Sequence, residues 1–222
     1  MSQQSGVLGF LVGGMIRRSV RTRFRRVYWR KREQLLTSPT ILYANHHGWM
    51  DGYLMFHLVM RLGLNCVDWI EEFDTFPLFA MVGGLRFSKG DILGRASTIR
   101  KTIRLMNDHG RSLVIFPEQQ LHRPPDLLPF GRVLETMARH VPGVELVPVA
   151  IRYELSIHER PEAWISTGSK HSFGGLLDCQ DRLTRQLVDL RAEIARDEPF
   201  DVLADGTPDV NERWNMRRLP TG

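Results

Sequence analysis

The chain has 222 residues and a mass of 25.6 kDa, which is enough for one domain of ordinary size with a full hydrophobic core. Hydrophobic residues make up 42% and charged residues 25%, and the mean hydropathy is −0.24, which argues against a disulfide mini-protein and a polytopic membrane protein. The two cysteines, Cys66 and Cys179, lack metal-ligand spacing, and no cleavable signal precedes the first basic run. We therefore expect a reducing, cytoplasmic setting.

Positive charge is concentrated near the N-terminus. Residues 17–32 contain nine Lys and Arg side chains and no acid, so subtracting them from the formal net charge of +5 leaves −4 for the remainder. The preceding segment, 6–16, is mostly apolar but far shorter than the roughly 20 residues that a spanning helix requires. Apolar residues recur at helical spacing through both segments, at Leu8, Val12, Ile16, Val20, Phe24 and Val27 or Tyr28.

This pattern predicts an amphipathic basic helix that lies in the interface of an anionic membrane, peripherally and on its cytoplasmic face. Docking of the helix on the protein's own core, with a solvated basic face, is an alternative, and a nucleic-acid arm is another. We expect no nucleic-acid partner, because no base-reading motif or aromatic-interleaved basic sheet follows. The predicted organisation is an interfacial arm over 1–33, one domain over 34–197, and a loose tail over 198–222.

Short apolar runs alternate with helical patterns after the arm. Strands are predicted at 40–44, 66–70, 85–88, 112–116, 145–151 and 163–166. Helices are predicted at 51–62, 95–109 and 131–140, followed by an amphipathic helix marked by Leu183, Leu187, Leu190 and Ile194. Pro148 predicts an edge strand or a bulge. The alternation indicates an α/β fold with a mixed, mostly parallel sheet flanked by helices on both faces.

A histidine and an acid follow the first strand of this domain, at the sheet edge where such folds place their chemistry. Imidazole titrates near neutrality and becomes a better base when a carboxylate orients one of its nitrogens, as Asp51 would do for His46. On a regular helix the two side chains would point roughly 140° apart, so they meet only if the chain bends, and Gly48 can supply the bend. The alternative is a helix cap beside a satisfied histidine.

A second polar loop follows the strand at 112–116 and contributes to a set of four sequence blocks. The blocks are Asn-His-x-x-x-x-Asp at 45–51, a Gly-Gly/Phe/Lys segment at 83–89, Phe-Pro-Glu at 116–118, and Val-Pro-Val-Ala-Ile at 147–151. In this order they resemble the glycerophospholipid acyltransferases, the family that includes 1-acylglycerol-3-phosphate acyltransferase. The resemblance runs from about residue 40 to residue 153, which is half of the chain.

The resemblance implies acyl transfer from acyl-CoA or acyl carrier protein to a hydroxyl of a lysophospholipid-type acceptor, without a cofactor. His46 would take the hydroxyl proton as general base, and Asp51 would hold and stabilise the imidazole. His47 lies outside the motif position and is treated as a neighbour. Thioester hydrolysis by water is an alternative outcome, and a non-catalytic lipid-binding module with the same fold is another.

The second and third blocks would frame the acceptor, with a basic residue holding its phosphate. The segment at 84–89 departs from the family's Gly-x-x-Phe-x-x-Arg spacing, so the candidates, in order of preference, are Lys89, Arg86 and Arg95. Glu118 and Arg123 of the third block complete the predicted substrate-binding set, together with one aromatic residue. That residue is Trp49, which packs either on the acyl chain or in the core.

The third block reads Phe-Pro-Glu-Gln where the family has Phe-Pro-Glu-Gly. Gln119 therefore brings a side chain to a position where glycine permits unusual backbone angles and close approach of a ligand. Together with the proline-rich loop at 117–130, this leaves open an uncharged acceptor, such as a glycosylated lipid or a carotenoid glycoside. We predict no metal, because no HExxH, paired CxxC or EF-hand pattern occurs.

Overall fold

One eight-stranded sheet forms the centre of the computed structural model, which describes residues 6–31, 39–155 and 157–214. The strands are β1 (Arg26–Lys31), β2 (Thr40–Ala44), β3 (Cys66–Ile70), β4 (Gly84–Arg86), β5 (Ser112–Ile115), β6 (Glu145–Glu154), β7 (Glu162–Thr167) and β8 (Asp201–Asp205). The helices are α1 (Gly6–Arg23), α2 (Asp51–Leu62), α3 (Ile92–His109), α4 (Val133–His140), α5 (Leu176–Ala195) and α6 (Val210–Arg213), with 3₁₀ helices at Phe73–Thr75 and Pro77–Val82.

The strand order is β4-β3-β5-β2-β6-β7-β1-β8. Strands β4, β3, β5, β2 and β6 are mutually parallel, β7 runs antiparallel to β6, β1 is parallel to β7, and β8 is antiparallel to β1. The predicted mixed, mostly parallel α/β sheet is therefore confirmed. Because the five parallel strands end at one edge, the loops that follow them meet there.

The fully buried strand β2 divides the core into two layers. Leu42 and Ala44 point to the side covered by α2, whereas Ile41 and Tyr43 point to the side covered by α3, α4 and α5. The bounds predicted for β2, β3 and α2 match those observed. Helix α2 stops at Gly63, whose φ of 69° is a left-handed conformation that glycine adopts without strain.

The N-terminal helix is shorter than its periodicity predicts. It ends at Arg23, and the segment expected to continue it through Val27 or Tyr28 is strand β1, inside the sheet. Val27 and Trp29 are buried while Tyr28 is partly exposed, which is the alternation of a strand. A basic strand paired on both sides belongs to the sheet, so the helical part of the predicted arm is α1 alone.

Helix α1 has two apolar sides. Val12 and Ile16 are buried in a cluster with Phe56 of α2 and Val82, so one side docks on the protein itself. The other side is exposed at its N-terminal end, at Val7, Leu8, Phe10 and Leu11. Across the described helices, 18-residue α1 included, we find none with both the length and the apolar character needed to cross a bilayer.

Two predictions near the other end of the sheet are wrong. Residues 198–222 are not a loose tail throughout, because Asp201–Asp205 form edge strand β8. Pro148 lies in β6, between β2 and β7, and not at an edge. The pairing of β6 with β7 ends at Val149 and Thr167, one residue after Pro148 in β6. The Pro148 carbonyl still accepts a hydrogen bond from the Gly168 N–H at 2.9 Å. The N–H that proline lacks therefore falls where the β6–β7 ladder has ended. Residues 1–5, 32–38, 156 and 215–222 lie outside the described residues.

Candidate active site

A histidine–carboxylate pair lies in the loop between β2 and α2. The His46 Nδ1 atom is 2.9 Å from Asp51 Oδ2. Because a carboxylate can only accept, Nδ1 carries the proton and Nε2 is left as the unprotonated, basic nitrogen. The imidazole stacks on Phe116, which follows β5, with 4.4 Å between ring centroids. The structure thus brings together the two residues that the first block pairs.

Asp51 is fully buried, and two further donors satisfy its carboxylate. The backbone N–H of Gly48 donates to Oδ2 at 2.9 Å, and the Tyr153 hydroxyl donates to Oδ1. A Cβ atom at Gly48 would lie 2.3 Å from the Tyr153 ring, so glycine is required here for close approach. Burial and the neighbouring Asp51 charge raise the pKa of Tyr153 well above its usual range, which keeps the hydroxyl a donor.

Glu118 holds the same loop in place through a hydrogen bond to its backbone. Its Oε1 accepts from the backbone N–H of His46 at 2.8 Å, and its Oε2 accepts from Leu128 N at 2.6 Å and contacts His122. Its side chain is completely buried, and it does not line the cavity that opens beside His46. The structure therefore places this predicted substrate-binding residue beneath His46, where it holds the loop.

One group of side chains has potential metal-ligand atoms within 4.8 Å of one another, namely His47, Glu118 and His122. Hydrogen bonds to protein atoms satisfy these side chains. His47 Nδ1 accepts from Asn45 Nδ2 at 3.1 Å, and its Nε2 donates to the Asp126 carbonyl at 3.2 Å. Burial lowers the pKa of His47, consistent with a neutral ring. His122 contacts the Arg123 carbonyl through Nδ1 and the Glu118 carboxylate through Nε2, so both of its ring nitrogens have a partner.

A cavity of about 290 Å³ opens beside His46. It lies at the sheet edge where the parallel strands end, between residues of α1 and α2 and the loops that follow β3, β4 and β5, and much of its wall is apolar. That wall includes Ile16, Met55, Phe56, Val59, Phe79 and Val82. Trp49, which is 63% exposed, also lines the cavity and stacks on Tyr53 at 5.6 Å. A concave apolar site beside a base suits an aliphatic chain.

Of the three basic residues predicted to hold a phosphate, the one ranked last lines the cavity and the two ranked above it do not. Arg95 lines the cavity, where its Nε donates to the Ser88 carbonyl at 3.0 Å and its guanidinium lies 4.6 Å from the centroid of the Phe87 ring. Lys89 and Arg86 are exposed and do not line the cavity.

The side chains of Arg86 and Arg123 do not line the cavity. Arg86 forms an ion pair with Asp74 at 2.9 Å. Arg123 is exposed and is absent from the cavity lining. Of the four basic candidates, Arg95 is therefore the one in position to meet a ligand in this cavity.

Three acids line the same cavity, namely Asp68, Glu71 and Glu72. Burial raises the pKa of Asp68 to about 7, although the backbone N–H of Trp69 and the His46 imidazole act in the opposite direction. Sequence reasoning missed Asp68 and Tyr153, because each lies within or at the end of a strand and comes from a part of the chain distant from His46.

Gln119, at the position where the family's third block has glycine, adopts a left-handed backbone conformation. Its φ of 55° is left-handed, which an L-residue with a side chain adopts only with strain. Its side chain lies over Gly131, where a Cβ atom would sit 1.5 Å from Gln119 Nε2, and it also lines the cavity. The glutamine thus keeps the turn that glycine favours and adds an amide to the wall.

Comparisons with known proteins agree with this architecture. A family model described as Acyltransferase matches residues 26–152. The solved structure of the 1-acyl-sn-glycerophosphate (LPA) acyltransferase PlsC from Thermotoga maritima is similar over 84% of this chain and 80% of that chain, at 17% identity and a TM-score of 0.63. At this identity the likeness shows a shared fold. No curated protein matches the chain.

Proposed function

The chain belongs to the acyltransferase family, and we propose that it transfers a fatty acyl group from a thioester to a hydroxyl of a lysophospholipid-type acceptor. The observation that supports this most directly is the His46–Asp51 pair, 2.9 Å apart, beside an apolar cavity. The proposed donor is acyl-CoA or acyl carrier protein, because a thioester supplies an activated acyl group and a thiol leaving group.

In the proposed mechanism, His46 Nε2 removes the proton of the acceptor hydroxyl as the oxygen attacks the thioester carbonyl. Asp51 stabilises the imidazolium that forms, and both of its oxygens accept hydrogen bonds that hold it in place. The tetrahedral intermediate collapses with cleavage of the carbon–sulfur bond, and the thiolate takes the proton from His46. The products are the ester and the free thiol, and no acyl-enzyme is needed.

Water competes with the acceptor for the same base. An acyl chain that fills the apolar cavity would exclude water from His46 and favour transfer over hydrolysis. Release of thiol without any acceptor, at the same rate as with one, would instead identify a thioesterase.

The test of the proposed function is thiol release from acyl-CoA with a panel of lysolipids. We expect release that depends on the acceptor and that falls by about 10²–10⁴-fold in His46→Ala. His109→Ala, which removes an exposed histidine at the end of α3, is the matched control and should retain full activity. Equal turnover in His46→Ala and the wild type would refute the proposed mechanism.

Arg95 is the residue that we propose to hold an acceptor phosphate, since it carries a permanent positive charge on the cavity wall. The remaining charged side chains of that wall favour a second candidate acceptor. Asp68, Glu71 and Glu72 would repel a phosphate, whereas the hydroxyls of an uncharged headgroup, such as that of a glycosylated lipid, would donate hydrogen bonds to these carboxylates.

Arg95→Gln separates the two acceptors. If lysophosphatidate is the acceptor, its kcat/KM should fall by about tenfold or more while that of an uncharged monoacylated lipid is unchanged. If the uncharged lipid is the better substrate of the wild type and Arg95→Gln affects neither, the second candidate is correct.

We also propose that the protein binds the surface of an anionic membrane through α1. Val7, Leu8, Phe10 and Leu11 are exposed at one end of the helix, and the exposed Arg18, Arg21 and Arg23 follow toward the other. Exposed apolar side chains next to basic ones match the acyl and headgroup layers of such a surface.

A further inference from the structure

Exposed apolar side chains are concentrated at one edge of the sheet, which we call the carboxyl edge. It is the edge where the parallel strands β2, β4, β5 and β6 end, so the segments that follow these strands lie together there. Each of the four segments exposes at least one large hydrophobic side chain, and the residues are Trp49, Ile92, Leu93, Leu121, Leu155 and Ile157. At the opposite edge, the segments 63–65, 110–111 and 141–144, which precede parallel strands, expose none.

Two pairs of these side chains extend almost fully into solvent. Ile92 and Leu93 begin α3 and are 80% and 83% exposed, while Leu155 and Ile157, in the connection between β6 and β7, are 81% and 95% exposed. Single exposed hydrophobic residues are ordinary on a protein surface. Two such pairs on separate segments of the same edge indicate instead a surface that an apolar partner covers.

The connection between β6 and β7 is fixed to the basic end of α1. Arg160 Nε donates to the Thr22 carbonyl of α1 at 3.0 Å. The exposed Arg21 and Arg23 lie in the same last turn of α1, and neither forms an ion pair within residues 6–31, 39–155 and 157–214. The apolar pair in this connection therefore lies near positive charge that is free to meet a partner.

Positive charge also accompanies the apolar side chains elsewhere on the carboxyl edge. Lys89 and Arg123 are exposed in the segments after β4 and β5. The four acids of the segments after β3 and β4 are either paired with Arg86 or line the cavity, and they are Asp74, Asp91, Glu71 and Glu72. Apolar side chains beside cations match the acyl and headgroup layers of an anionic membrane.

We infer that the carboxyl edge is a second membrane-contact surface, separate from the exposed side of α1, and that Leu93 and Ile157 enter the acyl layer of an anionic bilayer. This inference rests on the proposed membrane binding and extends it. Strands β4 and β6 are four strand spacings apart, which is about 19 Å, so the surface is too broad for one docked peptide strand or helix and suits a flat bilayer. His46 follows β2 at the same edge, so the catalytic base lies on the side of the molecule that faces the lipid.

Spin labels at single introduced cysteines test this surface in the full chain. Cys66 and Cys179 are both buried, so a nitroxide reagent reacts with a new surface cysteine. Leu93→Cys and Ile157→Cys probe the carboxyl edge, and Val188→Cys, on a helix over the other face of the sheet, is the matched control. With vesicles of phosphatidylcholine and phosphatidylglycerol, collisions of the two probe labels with oxygen should rise several-fold and those with a water-soluble nickel chelate should fall several-fold. Neither rate should change for the control label.

Vesicle sedimentation supplies an independent measurement. Leu93→Ser combined with Ile157→Ser should weaken binding to the same vesicles by about tenfold or more, because two large apolar side chains no longer enter the acyl layer. Leu177→Ser combined with Val188→Ser is the matched control, since both residues are exposed on α5, and it should bind as the wild type does. Wild-type binding by the Leu93/Ile157 double variant would contradict the inference.

A label at Phe10→Cys tests the contact of α1 separately. If this label enters the lipid while those at Leu93→Cys and Ile157→Cys stay accessible to nickel, the inference is overturned and the binding through α1 stands. If all three labels stay in water, both proposals fail. If the labels at the carboxyl edge are shielded from oxygen and nickel before vesicles are added, a second copy of the chain covers that edge, and the inference is overturned as well.

Discussion

The Asp51 carboxylate is completely buried and accepts hydrogen bonds from two parts of the chain. His46 and Gly48 come from the loop before α2, while Tyr153 comes from β6, 102 residues away in sequence. A buried charge is stable only when such partners are in place. The local part of this network follows from the spacing of the first block, but the contribution of Tyr153 depends on strand register and has no local signature.

Tyr153→Phe should lower kcat by about tenfold, because it leaves Asp51 Oδ1 buried without its donor while the ring still packs against Gly48. Acyl transfer measured by thiol release tests this. Tyr28→Phe is a matched control, since it also removes a tyrosine–carboxylate hydrogen bond, to Glu162 at 3.2 Å, but away from the cavity. Equal activity of the two variants would show that the Tyr153 hydroxyl is dispensable.

Gln119→Gly should stabilise the protein by about 1 kcal/mol, because the left-handed φ of 55° costs a residue with a Cβ atom more than it costs glycine. Urea unfolding measures the change. Gln120→Gly is the control, since Gln120 is not among the residues with positive φ and glycine there adds only unfolded-state entropy. A loss of stability in both variants would contradict the strain at Gln119.

At the scale of elements, the sequence predicts best where one physical signal dominates. Strand β2 is a continuous apolar run, and α2 has a clear stop at Gly63, so their bounds were predictable. Strand β1 was not, because Val27 and Tyr28 happen to continue the helical spacing of α1. Edge strand β8 is short, has Asp at both ends and is mostly exposed, so its apolar signal is weak and it is recognisable only through its pairing with β1.

The exposed side of α1 leads to a prediction about membranes. Phe10→Ser combined with Leu11→Ser should weaken binding to anionic vesicles by more than about tenfold, since these side chains are 64% and 58% exposed and free to enter the acyl layer. Vesicle sedimentation at rising salt measures binding, which should also weaken as salt screens the arginines. Deletion of 1–32 is a poorer test, because it removes β1 from the sheet.

Val188→Ser on α5 is the matched control for the vesicle experiment, because Val188 is 62% exposed on a helix that covers the other face of the sheet. It should bind vesicles as the wild type does. If the α1 double variant also binds normally, the exposed side of α1 does not contact the membrane.

At the scale of the whole molecule, part of the candidate site could be predicted from the sequence and part could not. The loops after β2 and β5 supply His46 and Glu118, which the sequence blocks identify because each block is contiguous. The wall of the cavity includes residues from α1, α2, β3 and the start of α3, so its charged side chains could be identified only from the structure. This is why the predicted order of the basic residues differs from the arrangement around the cavity.

Two groups, Asp68 in the cavity wall and His57 on α2, link stability to pH in opposite directions. Burial raises the pKa of Asp68 from 3.8 to about 7, so between these values the folded state retains a proton that the unfolded state has lost, and the free energy of unfolding decreases as pH rises. Burial, aided by Arg17, lowers the pKa of His57 from 6.5 to about 4, so the unfolded state binds the additional proton and the free energy of unfolding increases as pH rises.

Single substitutions should separate these opposing effects. The stability of Asp68→Asn relative to the wild type should increase from about pH 4 to pH 7 and then level off, because the cost of ionising a buried carboxyl is removed. The stability of His57→Leu relative to the wild type should instead be greatest near pH 4 and decline toward pH 6.5, because the cost of keeping the buried ring neutral is removed. Urea unfolding from pH 4 to pH 8 measures both differences, and pH-independent differences would show that neither group is desolvated in the folded protein.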